Sequence, residues 1–395
     1  MRRIALLAVA VAGLVLATTA AARTGSGAAG SPIVIGWAHD STGPMAPFDG
    51  PALAAAQIRV GQINAKGGVV GRPLVIKTCD TQGDNPAVSK TCADKLIGEG
   101  ANVIFTTCDV DLAAPVVQES INKGLLTIAP CIGTDQMGPK RFGAKGALAF
   151  SFGNVAQDEG SAMAQFAWAK GWRTASLATD TVIVYFKDIV KAFAARWKQL
   201  GGKIVDQETY QDPAFHGNNV QNAVSRLNAH QADVIVTSTA GAYQALAPLI
   251  TGLRTLGNDT PVINSWAGDG VYWLPKSPQV TNYYFVTYAD SFGGDPSAAI
   301  NALAKKIHAA TGGFVTGPAA IDGLATAIRE AGGSTNGAAL AAKMVRFHNV
   351  PTLSGLVSFS PQQHSVYHRQ YRVIEINNNV PRLVAQVVAK VVPKI

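Results

Sequence analysis

The sequence predicts an α/β protein made of two doubly wound parallel-sheet lobes joined by a three-crossover hinge. From Ile33 onward, short apolar segments rich in β-branched residues alternate with amphipathic stretches of helical length. This alternation is typical of parallel sheets with helices on both faces. The pattern runs through the chain twice. A chain of 395 residues, 48% hydrophobic and 15% charged, can form two domains that each have a core.

The first series of segments predicts lobe 1, with strands at residues 33–38, 74–78, 103–107 and 125–129. These strands are continuous apolar runs rather than alternating ones, as expected for strands that are buried on both faces. The second series predicts lobe 2, with strands at residues 174–179, 203–208, 233–238 and 261–264 and with helices at residues 157–170, 184–200, 217–230 and 242–256.

The connections between the two series predict the hinge. Residues 142–155 carry several glycines and are expected to cross from one lobe to the other, and three helical segments after residue 287 are expected to return to lobe 1. Three connections between lobes allow closure around a ligand without loss of either core. The predicted boundaries are residues 31–146 plus 289–353 for lobe 1 and residues 147–288 plus 354–395 for lobe 2.

Residues 1–22 predict a cleaved signal peptide, and residues 23–30 predict a flexible leader. The chain starts with a short basic segment, continues with an apolar run over residues 4–17 and then has three alanines that suit cleavage. That run is shorter than the roughly 20 residues that cross a bilayer. The first cysteine is Cys79, so no lipid-anchored cysteine follows the signal. We expect a soluble protein that is periplasmic or secreted.

The four cysteines predict disulfides, because an even number in an exported chain favours cross-links over metal or redox chemistry. Three pairings are open. We favour Cys79 with Cys92, which close a short loop, and Cys108 with Cys131, which end successive predicted strands. A zinc site is disfavoured since the chain has no CxxC motif and since the pair His364 and His368 lacks an acidic or cysteine companion nearby.

Charge and motifs argue against nucleic acid as a partner and against an enzyme. The net charge of +8 includes three arginines within residues 1–23, and Lys and Arg are scattered rather than interleaved with aromatic residues. The sequence lacks the GxSxG, HExxH and GxxxxGK[ST] motifs of hydrolases, zinc proteases and P-loop proteins, and no GxGxxG dinucleotide-binding motif follows the first predicted strand. A hydrolase that uses paired carboxylates is a weaker alternative, since the spacing of its two acids cannot be read from a sequence.

Several motifs resemble the leucine/isoleucine/valine-binding proteins, which are type I periplasmic binding proteins of ABC importers. The resemblance covers nearly all of the chain after the signal peptide and rests on Ile35-Gly36, Thr42-Gly43-Pro44, the INAKGG motif at 63–68, Gly71-Arg72-Pro73-Leu74, the segment GLLTIAP at 124–130 and the segment SGLVSF at 354–359. It implies a solute-binding protein without cofactors that takes an amino acid, or a related amine or polar organic molecule, and delivers it to a membrane permease. We expect a monomer.

Ligands of open parallel sheets bind beyond the carboxyl ends of the strands, so the candidate site residues follow the predicted strands. The resemblance implies a hydroxyl residue after the third strand, where this chain has Asp109, Val110 and Asp111 instead. A carboxylate there repels a ligand carboxylate. After the fourth strand, Cys131, Gly133 and Thr134 match a group that contributes a backbone carbonyl and a threonine.

The remaining candidates are four aromatic residues and one acid. By resemblance, Phe48 and Tyr185 are expected to wall the cleft, and Asp269 to pair with a ligand ammonium; Tyr243 and Trp266 also follow predicted strands. We therefore expect a ligand with a cationic or polyhydroxylated group. Alternatives stay open, because an acid after a strand is often only a helix cap and aromatic residues often only fill a core. A ligand sensor that signals to a receptor or regulator is the alternative function.

Overall fold

The computed structural model describes residues 30–395 as two α/β lobes, each built around one large sheet. The predicted signal peptide (1–22) and nearly all of the predicted leader lie outside the described residues. Among residues 30–395, no helix is both long enough and apolar enough to span a lipid bilayer.

Residues 30–395 form fifteen β-strands and eleven α-helices. The strands are β1 (Ile33–His39), β2 (Leu74–Asp80), β3 (Val103–Phe105), β4 (Leu126–Ala129), β5 (Ala149–Asn154), β6 (Thr174–Asp180), β7 (Lys203–Tyr210), β8 (Val234–Ser238), β9 (Val262–Asn264), β10 (Tyr283–Thr287), β11 (Val350–Thr352), β12 (Gly355–Val357), β13 (Ser365–Val366), β14 (Gln370–Asn377) and β15 (Val380–Val388). The helices are α1 (Ala46–Asn64), α2 (Pro86–Gly98), α3 (Val110–Asn122), α4 (Pro139–Phe142), α5 (Ala156–Ala169), α6 (Val184–Gln199), α7 (Val220–Ala229), α8 (Leu246–Thr255), α9 (Ala298–Ile307), α10 (Thr316–Glu330) and α11 (Gly337–Met344).

The sheet of lobe 1 is parallel throughout, with the strand order β13-β5-β4-β3-β1-β2. Side chains of a strand point alternately to opposite faces. Accordingly, Ile33, Ile35 and Trp37 of β1 join one hydrophobic cluster, whereas Val34 and Ala38 pack in another cluster with α2. Helices therefore cover both faces of this sheet.

The sheet of lobe 2 has the order β15-β14-β10-β9-β8-β6-β7. Strands β6 to β10 are parallel, and β14 and β15 are added antiparallel at one edge. Tyr284 and Val286 of β10 face one cluster, whereas Tyr283 and Phe285 face the other. The predicted fold class, two doubly wound α/β lobes, is confirmed, although the second sheet is not parallel throughout.

The chain crosses between the lobes three times: after β5, after β10 and between β13 and β14. The helices after β10 return to lobe 1, where α10 packs against α1 and β5. Two predicted boundaries differ from the strand pairing. The predicted lobe 2 includes residues 147–154 and 354–366, but β5 and β13 pair with each other in the sheet of lobe 1. The glycine-rich stretch before residue 155 contains a fully buried strand, and the crossing starts only at its end.

Both favoured cysteine pairings are present, as Cys79–Cys92 and Cys108–Cys131. The first joins the end of β2 to α2, and the second joins the loops that follow β3 and β4. These disulfides therefore hold lobe 1 together at the carboxyl edge of its sheet, where the candidate site residues were placed from the sequence.

Candidate functional site

A small cavity lies between the two lobes, beyond the carboxyl ends of their strands. Lobe 1 contributes the residues that follow β1 and β3, and lobe 2 contributes those that follow β6, β8 and β9. The lining residues are Met45, Phe48, Cys108, Asp109, Ile183, Tyr185, Phe186, Ala240, Tyr243, Trp266 and Ala267. Most of these side chains are apolar or aromatic, and the carboxyl of Asp109 is the single charged group among them.

Asp109 is positioned as the cap of helix α3. Its Oδ1 accepts hydrogen bonds from the backbone N–H groups of Asp111, at 2.8 Å, and of Leu112, at 3.2 Å. The residue is 5% exposed, and this burial, reinforced by the negative charge of Asp111, raises the pKa of the Asp109 carboxyl to about 7. Asp109 is therefore a helix cap whose carboxyl also lines the cavity.

The aromatic wall of lobe 2 is attached to a buried acid, Glu159, near the start of α5. The hydroxyl of Tyr185 donates a hydrogen bond to the Glu159 carboxyl at 2.9 Å, and the backbone N–H of Trp266 donates to the same carboxyl at 2.6 Å. Burial raises the pKa of Glu159 to about 8, against the lowering effect of these two hydrogen bonds. Glu159 thereby fixes the position of two cavity aromatics that come from separate loops.

The lobes contact each other around the cavity, so the structure is a closed form. The rings of Phe48 and Trp266 meet edge to face with their centroids 4.9 Å apart. The hydroxyl of Tyr243 lies 4.0 Å from Sδ of Met45. Carboxylate oxygens of lobe 1 also accept hydrogen bonds from lobe 2: the N–H of Val184 donates to Asp111 at 2.8 Å.

Five of the eleven residues proposed from the sequence line the cavity, and the other six lie around it. Val110, the first residue of α3, is buried in a hydrophobic cluster. Asp111 lies outside the cavity, where it pairs with Arg141 at 2.6 Å and accepts the hydrogen bond from Val184. The residues that line it are Phe48, Asp109, Tyr185, Tyr243 and Trp266.

The loop after β4 lies behind the cavity wall rather than in it. Cys131 is buried in its disulfide with Cys108. The ring of Tyr185 covers Gly133 so closely that a Cβ atom there would lie 2.5 Å from Cε2 of Tyr185. Thr134 uses its hydroxyl oxygen to accept from the N–H of Gln136 at 2.9 Å. Gly133 and Cys131 therefore support the wall through Tyr185 and Cys108.

Asp269 also lies outside the cavity. Its Oδ2 accepts from the Thr287 hydroxyl and from the N–H of Gly312, both at 2.6 Å. Burial raises its pKa to about 7. Gly312 belongs to the segment that leads into α10 of lobe 1, so Asp269 connects the two lobes beside the hinge.

The sequence analysis did not single out Glu159 or several of the lining residues, among them Ile183, Phe186 and Ala240. Glu159 is one of two adjacent acids in the first turn of α5, a position where acids commonly interact with the helix dipole. No feature of the sequence separates that role from the one observed.

A buried polar network joins the three hinge crossings behind the cavity. Asn154 donates to Asp158 at 3.2 Å and to the hydroxyl of Tyr371, and its N–H donates to the hydroxyl of Tyr288 at 3.4 Å. Arg369 donates to a backbone carbonyl at 2.7 Å and lies over the Tyr288 ring at 4.8 Å. This guanidinium belongs to the hinge and does not line the cavity.

Metal binding finds no support in the one cluster of suitable spacing among residues 30–395. That cluster consists of Asp49, Cys108 and Cys131, and its two sulfur atoms form a disulfide, so no thiolate ligand is available. His364 stacks on Phe150 at 4.1 Å and bonds to a backbone carbonyl, as a packed core residue does.

The model of the family described as periplasmic binding protein matches residues 32–380 of the sequence. The chain belongs to the periplasmic binding protein family. Its predicted resemblance to the leucine/isoleucine/valine-binding proteins is confirmed. One relative is the Leu/Ile/Val-binding protein BraC3 of Rhizobium johnstonii, which is 25% identical over 336 residues that cover 83% of this chain and 87% of the relative.

Solved structures of other periplasmic binding proteins share the fold. LivJ of Streptococcus pneumoniae, a branched-chain amino acid transporter substrate-binding protein in complex with isoleucine, has a TM-score of 0.74 and 19% identity, over 90% of this chain and 99% of LivJ. A solute-binding protein of Rhodopseudomonas palustris in complex with 3,4-dihydroxybenzoic acid has a TM-score of 0.73 and 16% identity, over 92% of this chain and 99% of that one.

Proposed function

We propose that this periplasmic binding protein closes its two lobes around one small solute and delivers it to the permease of an ABC importer. The observation that carries the proposal is the cavity itself, since its walls come from the strand ends of both lobes. Family membership supports a solute-binding role and gives no indication of catalysis. We accordingly propose a binding protein rather than an enzyme or a sensor.

Binding and closure are coupled because neither lobe encloses the ligand alone. Phe48 and Asp109 lie on one side, and Tyr185, Tyr243 and Trp266 lie on the other. A ligand that contacts both sides gains part of its binding free energy only in the closed form, so it shifts the population towards closure. The permease can then distinguish loaded from unloaded protein by shape.

The proposed solute is an amino acid or a related amine or polar organic molecule. BraC3 is named for leucine, isoleucine and valine, and LivJ is in complex with isoleucine. The Rhodopseudomonas palustris protein is in complex with an aromatic acid, so this fold accommodates aromatic bodies as well. We further propose that the protein acts as a monomer, in the periplasm or secreted, without a cofactor or nucleic acid.

The test combines a thermal-shift screen with small-angle X-ray scattering. The panel contains leucine, isoleucine, benzoate, 3,4-dihydroxybenzoate, phenethylamine and choline. A bound compound should raise Tm in proportion to the logarithm of its excess over Kd and should reduce the radius of gyration. The substitution Ala240→Leu, which fills the cavity, should abolish both effects, whereas Ala298→Leu on the exposed face of α9 should preserve them.

If compounds raise Tm without reducing the radius of gyration, the proposed coupling of binding to closure is wrong. If A240L responds to the panel as the unmodified protein does, the ligand binds elsewhere and the assignment of the cavity is wrong.

A further inference from the structure

Resting on the proposed function, we propose that the solute held in this cavity is a small organic cation, an amine or a quaternary ammonium compound with an apolar body. The cavity combines aromatic side chains with a single buried carboxylate. This is the arrangement by which proteins enclose an ammonium group, which is attracted to the negative faces of aromatic rings.

Aromatic rings dominate the lining. Five of them surround the cavity, and they come from both lobes. Phe48 of lobe 1 meets Trp266 of lobe 2, and in lobe 2 the rings of Phe186 and Tyr243 have centroids 6.0 Å apart. The aromatic enclosure is therefore complete only when the lobes are closed, which suits a ligand that drives closure.

One oxygen of Asp109 is available to the ligand. Both N–H groups at the start of α3 donate to Oδ1, and Oδ2 accepts no hydrogen bond from any group within residues 30–395. The side chain is 5% exposed and lines the cavity. A carboxylate oxygen on a largely buried side chain is stabilised by a partner, and a ligand ammonium supplies both the charge and the N–H.

Several backbone donors around the cavity are already used by the protein's own acids, whereas the indole N–H of Trp266 has no partner within residues 30–395. The first N–H groups of α3 donate to Asp109, the N–H of Val184 at the start of α6 donates to Asp111, and the N–H of Trp266 donates to Glu159. Lys, Arg and His are absent from the cavity lining within residues 30–395. A ligand carboxylate would thus meet carboxyl groups of the protein at positions where helix starts commonly bind anions.

The space enclosed in the closed form is small, which favours a small ligand over a large one. Choline and phenethylamine represent two shapes of small organic cation, a compact quaternary ammonium group and a primary amine on an aromatic body.

Charge is tested directly with pairs of matched ligands in isothermal titration calorimetry. Choline is compared with its neutral isostere 3,3-dimethyl-1-butanol, and phenethylamine with 2-phenylethanol; leucine and benzoate complete the set. At least one cation should bind about tenfold or more tightly than its neutral partner, since cation–π contacts and one buried charge pair each contribute on this scale.

Variants assign the charge effect to Asp109. Asp109→Asn should remove most of the preference for the cation and leave the affinity for the neutral partner within about threefold, since the amide keeps the cap but not the charge. Asp94→Asn, on the exposed surface of α2, should change neither affinity. Equal binding of both partners to the unmodified protein, or an unchanged preference in D109N, would overturn the proposal.

The pH dependence gives a second readout. Burial raises the pKa of Asp109 to about 7, with the charges of Asp111 and Asp84 as contributors and with the phenol of Tyr243 facing it from lobe 2. A cation favours the ionised carboxylate, so its affinity should increase from pH 6 to pH 8 and lose this increase in D109N. An affinity for benzoate that increases towards acidic pH would instead indicate an aromatic acid bound to the protonated carboxyl.

The results distinguish a wrong ligand class from a wrong proposed function. If leucine or benzoate raises Tm and closes the lobes while both cations do not, the solute-binding role stands and the inferred ligand class is wrong. If none of the six titrated compounds raises Tm at millimolar concentration, both the ligand class and the proposed function are wrong.

Discussion

At the residue scale, the buried acid Glu159 holds two aromatic residues of the cavity wall in place. It is fully buried, accepts from the Tyr185 hydroxyl and from the N–H of Trp266, and follows directly after the first hinge crossing. Its negative charge is disfavoured by burial and by the neighbouring charges of Asp158 and Asp269. We infer that a costly buried acid is tolerated here because it fixes two cavity aromatics at once.

Replacement of Glu159 should therefore lower the free energy of unfolding, because its hydrogen-bond donors lose their acceptor. Glu159→Ala leaves the Tyr185 hydroxyl and the Trp266 N–H buried without an acceptor, and each such group costs about 1–3 kcal/mol. Glu159→Gln keeps an acceptor of nearly the same shape and should lose clearly less. Urea denaturation of both variants measures this difference. Equal free energies of unfolding for E159A and E159Q would show that the two hydrogen bonds contribute nothing.

The sequence predicted the acids and aromatics of the strand ends, but it could not say which of them face the cavity. Asp109 and Asp111 are two residues apart, and one lines the cavity while the other pairs with Arg141. Which side of the helix start faces the opposite lobe depends on how that lobe docks. Gly133 lies behind the ring of Tyr185, which separates it from the cavity, and this contact between two elements cannot be read from the sequence.

At the scale of elements, the buried strands were the easiest part to predict. Strands such as β4 and β8 are buried along their whole length, so nearly all of their residues are apolar or β-branched. Strand β15 was missed because it lies at a sheet edge, is mostly half-buried or exposed, and contains Pro381 near its start. Residues of edge strands are less buried, and their sequence pattern is therefore weaker.

The two disulfides provide a matched comparison at this scale. Both close short loops in lobe 1, with sequence separations of 13 and 23 residues, but only Cys108 lines the cavity. Removal of either cross-link by double Cys→Ser substitution should cost about 2–4 kcal/mol of stability. The C108S/C131S variant should in addition bind the best compound of the panel several-fold more weakly, since the capped start of α3 loses its anchor.

Calorimetry on both double variants separates stability from binding. The C79S/C92S variant is the control, because its cross-link lies at β2 and α2, away from the lining residues. An equal loss of affinity in the two variants would indicate a general loosening of lobe 1 rather than a specific contribution of the Cys108–Cys131 disulfide to the cavity.

At the scale of the whole molecule, the buried acids are distributed over both lobes and the cleft. Asp109 and Glu159 lie at the cavity, Asp269 lies near the hinge, and Asp180 holds the loops after β6 and β8 by accepting from Thr239 at 2.8 Å. Burial raises the pKa of each of these groups to about 7 or 8. Folding therefore leaves these acids protonated at a pH where the unfolded chain ionises them.

This difference fixes the sign of the pH dependence of stability. Between the ordinary carboxyl pKa of about 4 and the raised values of about 7–8, the folded state binds more protons than the unfolded state, so stability decreases as pH increases. We expect the free energy of unfolding to be greatest in mildly acidic solution and to decrease towards pH 8. Acids with lowered pKa values, such as Asp80 and Asp233, stabilise the folded state as pH increases and so oppose this trend. Within residues 30–395, the acids with raised pKa values outnumber them, so stability should still decrease.

Urea denaturation at half-unit steps from pH 5 to pH 8.5 measures this slope. Glu159→Gln should flatten it above pH 6, since one of the acids that must ionise on unfolding is gone, and the exposed control Asp94→Asn should leave it unchanged. A stability that does not change across this range would mean that the buried acids are ionised in the folded protein as well as in the unfolded chain. In that case the closed cleft would hold several uncompensated negative charges, which requires cationic partners that the lining residues do not supply.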